Sequence, residues 1–226
     1  MTRLSVAIPC YEAHGVGHLF IEEQLNILSI QTFKDFEVVI SDHSKNYHIL
    51  KKVQQFPNLN IRYIKNTKNK GSSSANINNA MDHCSGELIK ILFQDDFLMD
   101  SSSLEIISNN FTDNDNWLVT GCCHLINGVL DKPFYPQWND KIHLGNNTIS
   151  SPSVLTIRNK NKLYFDDTLI WMMDVDLYKR YYLAYGLPKI INNINVVNRI
   201  WENQLSNTIS INRKNEELQK MVKKYE

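Results

Sequence analysis

Two adjacent carboxylates, Asp95 and Asp96, follow Gln94 and the apolar run Leu88-Ile89-Lys90-Ile91-Leu92-Phe93. Such a run reads as a buried strand of an α/β protein, and the carboxyl end of that strand is where these folds bind ligands. Neighbouring carboxylates repel each other in a cleft, so both stay ionised only when a cation or hydrogen-bond donors neutralise them. A hard divalent ion suits an all-oxygen pair; an acidic turn closing a strand is the plain alternative.

Two further acids end predicted elements. Asp42 closes Val39-Ile40-Ser41-Asp42-His43-Ser44, and in a parallel sheet it falls on the same edge as Asp95 and Asp96. Asp174 lies on a later helix with Asp176 two positions on; that step rotates a side chain by about 200°, so the two cannot point into one site. Between the strand acids runs Asn69-Lys70-Gly71-Ser72-Ser73-Ser74-Ala75-Asn76, a small-residue turn entering a helix, whose backbone N–H groups suit an anion. It lacks the Gly-Lys-Ser/Thr ending of a P-loop, and the chain has no Gly-x-Gly-x-x-Gly, which disfavours ATPases and nicotinamide dehydrogenases.

The elements that must position these acids alternate between strand and helix, the pattern of parallel β-α-β units. Leu4 to Pro9, Phe36 to Ile40 and Ile61 to Ile64 are predicted strands, and the run into Asp95 is the fourth. Between them, Ile21, Leu25 and Leu28 share a helix face, residues 46–56 form a short helix, and Ile77, Met81 and Cys84 repeat the helical spacing. Ser102 and Glu105 form a capping box for a helix with Leu104, Ile107 and Phe111 inward. A strand begins at Trp117, and the pattern loosens to about residue 165, where short strands and loops should shape a pocket. A helix over Leu169 to Ala184 carries Trp171, Val175 and Tyr178, and the lysine-rich helix Lys214 to Tyr225 reads as a solvated flank, with weak membrane-surface contact as its alternative.

With 24 basic and 24 acidic residues, the chain offers no net field for nucleic acid or an anionic membrane. Its 226 residues suit one compact unit with a C-terminal extension. The start reads directly into a strand and no apolar run spans a bilayer, so the expectation is a cytoplasmic protein without a transmembrane segment. Cys10, Cys84, Cys122 and Cys123 lack zinc or redox spacing and read as buried thiols. His14 and His18, flanking Gly15 and Gly17, read as loop residues without a third metal ligand nearby.

In their order, these segments resemble the inverting glycosyltransferases of family 2, which have the GT-A fold. The resemblance spans roughly residues 4–206 and rests on Ser5-Val6-Ala7-Ile8-Pro9-Cys10-Tyr11-Glu12, Ser41-Asp42-His43-Ser44, Asn69 to Asn76, and Leu92-Phe93-Gln94-Asp95-Asp96. It continues through Gly145 to Ser153, Trp171-Met172-Met173-Asp174 and Arg199 to Ser206. What it implies is a Rossmann-like, mostly parallel central sheet flanked by helices in three α/β/α layers. A single domain over 1–212 would then divide into a nucleotide-binding half, 1–97, and an acceptor-binding half, 98–212, followed by the polar helix 213–226.

The resemblance also implies roles. Asp42 accepts the base N–H of a nucleotide, most often uracil, and Pro9, Tyr11 and Glu12 surround base and ribose. Gly71 and Asn76 belong to the turn facing the nucleotide-sugar. Asp96 coordinates Mn or Mg at the donor diphosphate, and Asp95 holds the ribose, the sugar or the metal's water. Asp174 is the general base, and Arg199 reaches the diphosphate, with a surface ion pair as its alternative. The family's usual acids at Phe93 and Met173 are absent here, and its His is Trp201. The implied activity is transfer of a sugar from a nucleotide-sugar, UDP-linked first, to a saccharide or lipid-linked acceptor in surface polysaccharide assembly. A catalytically degenerate domain that binds a nucleotide-sugar or a partner enzyme is the alternative. A sugar nucleotidyltransferase is disfavoured because no basic residue accompanies Gly15 and Gly17. Sugar, acceptor, linkage and oligomeric state are not specified.

Overall fold

Strand alternation sets the layers. In β1 (Leu4–Cys10), Leu4, Val6 and Ile8 enter one core and Ala7 enters the other, as period-two geometry requires of a strand buried on both faces. The computed structural model describes residues 2–226. The chain continues through α1 (Gly17–Ser29), β2 (Phe36–Asp42), α2 (His48–Val53), β3 (Ile61–Lys65), α3 (Ser73–Asp82) and β4 (Leu88–Ile91). Then come β5 (Phe97–Leu98), α4 (Ser103–Asn110), β6 (Trp117–Ile126), β7 (Val129–Leu130) and β8 (Leu155–Arg158). The last elements are α5 (Met173–Tyr185), β9 (Lys189–Ile200), α6 (Leu205–Thr208) and α7 (Ile211–Tyr225).

The sheet order is β3-β2-β1-β4-β8-β6-β9-β5, with β7 beside β6. β1 to β4 are parallel, β8 is antiparallel to β4 and β6, and β6 runs parallel to β9. Ile21, Leu25 and Leu28 of α1, Ile49 of α2 and Leu104 of α4 pack on one face, while Ile77 of α3 and Tyr178 of α5 pack on the other. The expected α/β sandwich is therefore present. The order reverses at β1, opening a crevice at the carboxyl ends of β1 and β4. All four cysteines are buried and free.

Several local expectations change. Ser102 makes no cap bond: Asp100 Oδ1 accepts from the Ser102 N–H at 2.8 Å, and Gln31 Oε1 accepts from Leu104 N–H at 3.0 Å. Glu105 instead accepts from Thr32 Oγ1 at 2.8 Å, so the capping box does not form. His18 belongs to the first turn of α1, which Gly17 permits because a Cβ there would collide with the Tyr11 carbonyl oxygen. The loosely patterned stretch holds the ten-residue β6 and the central strand β8. β9 was not anticipated; its register against β6 shifts around Gly121, where a Cβ would meet Asn193 O at 2.9 Å.

The C-terminal helix is no solvated flank. Glu217 of α7 is buried and accepts from the backbone N–H groups of Ile170 (3.0 Å), Trp171 (2.8 Å) and Met172 (3.0 Å), the turn that enters α5. Met221 enters the core beside α5. Glu217→Ala leaves three inward N–H groups without acceptors, so a loss of about 2 kcal/mol or more is expected. Thermal unfolding should show Tm lowered by roughly 5 °C or more, with Glu217→Gln recovering part of the loss.

Candidate active site

The crevice is a cleft of about 730 Å³, in the size range of small-molecule sites. Pro9 and Tyr11 of the β1 end, Gly71 and Asn76 of the α3 entry, Asp95 and Asp96 after β4, and Asp174 of α5 all line it. Two separate acidic features, the Asp95–Asp96 pair and Asp174, thus reach one space. Gln94 fixes its mouth, donating from Nε2 to Tyr11 O and accepting the Tyr11 N–H at Oε1, both at 2.7 Å.

Asp96 is buried; its Oδ1 accepts the backbone N–H of Arg199 at 3.1 Å, and Ser151 Oγ lies 3.2 Å from Oδ2. Asp95 is half-buried and accepts from Trp201 Nε1 at 3.2 Å. Burial raises both carboxyls above the usual range, and repulsion from Asp95 raises Asp96 further. Such a pair of hard oxygens, raised by burial and open to a cleft, fits a divalent ion that takes its remaining ligands from substrate phosphates. Asp96 and Asp95 would hold it. The indole of Trp201 lies against Asp95, its Nε1 donating to Oδ2.

Asp174 opens α5 and is held on both oxygens: Oδ1 accepts the Val175 N–H and Oδ2 accepts from Asn147 Nδ2, each at 2.8 Å. Burial pushes its carboxyl up to about 7 against those donors, and the charge of Glu217 adds a smaller push. Asp176 points elsewhere. It is fully buried and bound by Arg180 (2.7 Å), Lys224 (2.6 Å) and Tyr225 (2.7 Å), the helix rotation having separated it from the cleft.

The other expected residues sit less directly. Asn76 ties the sheet edge together, donating to Cys10 O at 3.0 Å and accepting from Ser41 Oγ at 2.7 Å. Asp42 is fully buried behind the cleft, accepting from Ser44 N–H (2.7 Å), Tyr63 Oη (2.5 Å) and Lys65 Nζ (3.0 Å), while His43 lines the surface. Glu12 turns to His18 and is outside the lining. Arg199 is outside it too: its guanidinium pairs with Glu23 and stacks 4.8 Å from the Phe20 ring centroid. Asn147, Ser151 and Gln94 were not singled out, although each lies within or beside a segment that carried the resemblance.

With Asp174 as general base, only its ionised form accepts a proton, and the acid limb of kcat/KM would then fall near pH 7 rather than near the usual ~3.9 of a free Asp. Asn147→Ala removes a donor to that carboxylate and should move the limb to higher pH. A pH–rate series on the two proteins measures both.

The order reversal beside β1 and the acids gathered at its crevice are the architecture of a GT-A transferase domain. Comparison with known families agrees: residues 5–181 match the model of glycosyl transferase family 2, and the chain belongs to that family. A curated relative, the GalNAc(5)-diNAcBac-PP-undecaprenol beta-1,3-glucosyltransferase of Campylobacter jejuni, is 28% identical over 136 residues, 59% of this chain and 42% of that protein. The chain thus spans about two fifths of that relative's length. Among solved structures, S. aureus TarS 1–349 in complex with UDP superposes with a TM-score of 0.71 at 20% identity, covering 97% of this chain and 70% of that one. The mannosyltransferase PcManGT of Pyrobaculum calidifontis, in complex with GDP-Man and Mn2+, gives 0.65 at 14% identity over 90% of this chain and 58% of that one. Among the described residues, no helix is long and apolar enough to cross a membrane.

Proposed function

We propose that the cleft transfers a sugar from a nucleotide-sugar, a UDP-sugar in the first instance, to a saccharide or lipid-linked acceptor, with inversion at the anomeric carbon. The observation that carries this reading is that Asp174 and the Asp95–Asp96 pair line one cleft. The UDP complex of TarS supports the donor class, and the undecaprenol-linked substrate named for the Campylobacter enzyme supports the acceptor class. With a lipid-linked acceptor, this reading is of a cytoplasmic enzyme working at the membrane face in surface polysaccharide assembly.

In this reading Asp174 takes the proton of the acceptor hydroxyl, whose oxygen attacks the anomeric carbon from the face opposite the leaving group. The bond to the nucleoside diphosphate breaks, and the leaving oxygen keeps the electron pair. A Mn or Mg ion, when bound, offsets the charge growing there. Asp96, fixed by the Arg199 N–H and Ser151, and Asp95, fixed by Trp201, would hold that ion at the diphosphate end. Pro9, Tyr11 and His43 form the wall at the base end, and Asp42 serves it from behind by ordering Ser44. Gly71, with φ of 91°, shapes the turn that faces the anion.

The direct test incubates the protein with a panel of UDP- and GDP-sugars and Mn or Mg, with and without EDTA, and follows nucleoside diphosphate release. Metal-dependent release with at least one donor is expected. The indole of Trp201 on Asp95 favours the second reading, a domain that binds a nucleotide-sugar without turnover. Donor binding without release under every condition would establish that reading instead.

A further inference from the structure

A second cluster of metal-binding side chains lies beside the cleft, and sugar transfer makes no use of it. Glu12 Oε1 is 2.8 Å from His18 Nδ1, and Glu12 Oε2 accepts the His18 backbone N–H at 3.1 Å. His48, at the start of α2, sets its ring edge-on to that of His18 with centroids 5.6 Å apart. One ligand atom from each of the three residues falls within 4.8 Å of the others. None of the three lines the cleft. His18 lacked a third ligand in the sequence because that ligand comes from a different helix.

We propose that Glu12, His18 and His48 form a cation site of their own, for a zinc-class divalent ion, separate from the Asp95–Asp96 pair. Two imidazoles and one carboxylate are a borderline-soft donor set, which suits zinc and leaves a fourth position for water. Ligands about 2.1 Å from a tetrahedral ion stand ~3.4 Å apart. Glu12 and His18 therefore need to open slightly, and His48, which is exposed, needs only a side-chain rotation to close. Magnesium is disfavoured by the same donors, since it demands an oxygen shell.

The site has a mechanical consequence. The segment joining β1 to α1 turns tightly, with positive φ at His14 (50°) and Gly15 (76°), and it carries Tyr11 and His14 into the cleft lining. Gln94 holds one end of this segment at Tyr11. A zinc ion shared by Glu12, His18 and His48 pins the other end to α2, so that the wall of the cleft is ordered before any ligand arrives. The binding claim does not rest on the proposed transfer activity.

The test strips the full chain of metal with a chelator and titrates Zn2+ alone, by calorimetry and by competition with a zinc-responsive dye. One equivalent per chain is expected. His18→Ala and His48→Ala should each weaken binding about tenfold or more, whereas His83→Ala and Asp96→Asn should leave it unchanged. X-ray absorption at the zinc edge should show nitrogen and oxygen neighbours near ~2.0 Å with imidazole scattering. His48 is exposed, so its replacement keeps the fold, which circular dichroism checks. Absence of stoichiometric binding, binding that survives both histidine replacements, or binding lost in Asp96→Asn would each overturn the proposal.

Discussion

Asp174→Asn is expected to reduce sugar transfer by about 10³-fold, within the range by which a positioned general base accelerates a reaction. The amide keeps an oxygen for the Val175 N–H and the size of the side chain, so α5 should start as before. It has no basic oxygen to take the acceptor proton. The contact with Asn147 Nδ2 survives or fails according to which way the new amide turns. Donor binding, read by calorimetry with the nucleotide-sugar, should stay within a few-fold of wild type, because the loss belongs to the chemical step. Asp176→Asn provides the contrast. That carboxylate holds Arg180, Lys224 and Tyr225 and does not line the cleft, so its replacement should lower stability and leave the pH limb where it was. Equal kinetic losses from both replacements would remove Asp174 from the base role.

The sequence made the first half of the sheet legible because each strand is a short apolar run set between helix periods. Asp42 and Asp95–Asp96 came out on one edge for that reason. Side-chain direction was harder. On β9, Asn198 and Ile200 face the cleft and Arg199 between them faces away, as alternation along a strand requires. Motif order alone placed Arg199 in the site; the register of β9 shows that its backbone N–H arrives there and its guanidinium does not. β9 itself stayed hidden, since its Asn192, Asn193, Asn195 and Asn198 interrupt the apolar pattern. Glu217 was hidden differently. A carboxylate among lysines reads as solvated until its partners appear, and those partners are backbone N–H groups of a turn more than forty residues earlier, at Ile170, Trp171 and Met172.

For Asp96→Asn, activity and stability are expected to move in opposite directions. Burial and the neighbouring Asp95 raise the Asp96 carboxyl, so the folded chain binds a proton there that the unfolded chain has already released. The stabilising effect of that group is complete below the unfolded value of about 3.9 and is lost as pH rises through the higher folded value. The asparagine does not titrate, so the variant should gain stability relative to wild type as pH is raised from 5 to 8. Melting curves at those two pH values, without added metal, measure the difference. Metal-dependent turnover should fall by about 10²-fold or more, because the carboxylate charge best placed for the ion is gone. Asp95→Asn should cost less, since Asp95 is already engaged by Trp201 Nε1. If Asp96→Asn instead lowered stability at both pH values and left turnover intact, Asp96 would be a structural acid of the β4–β5 turn.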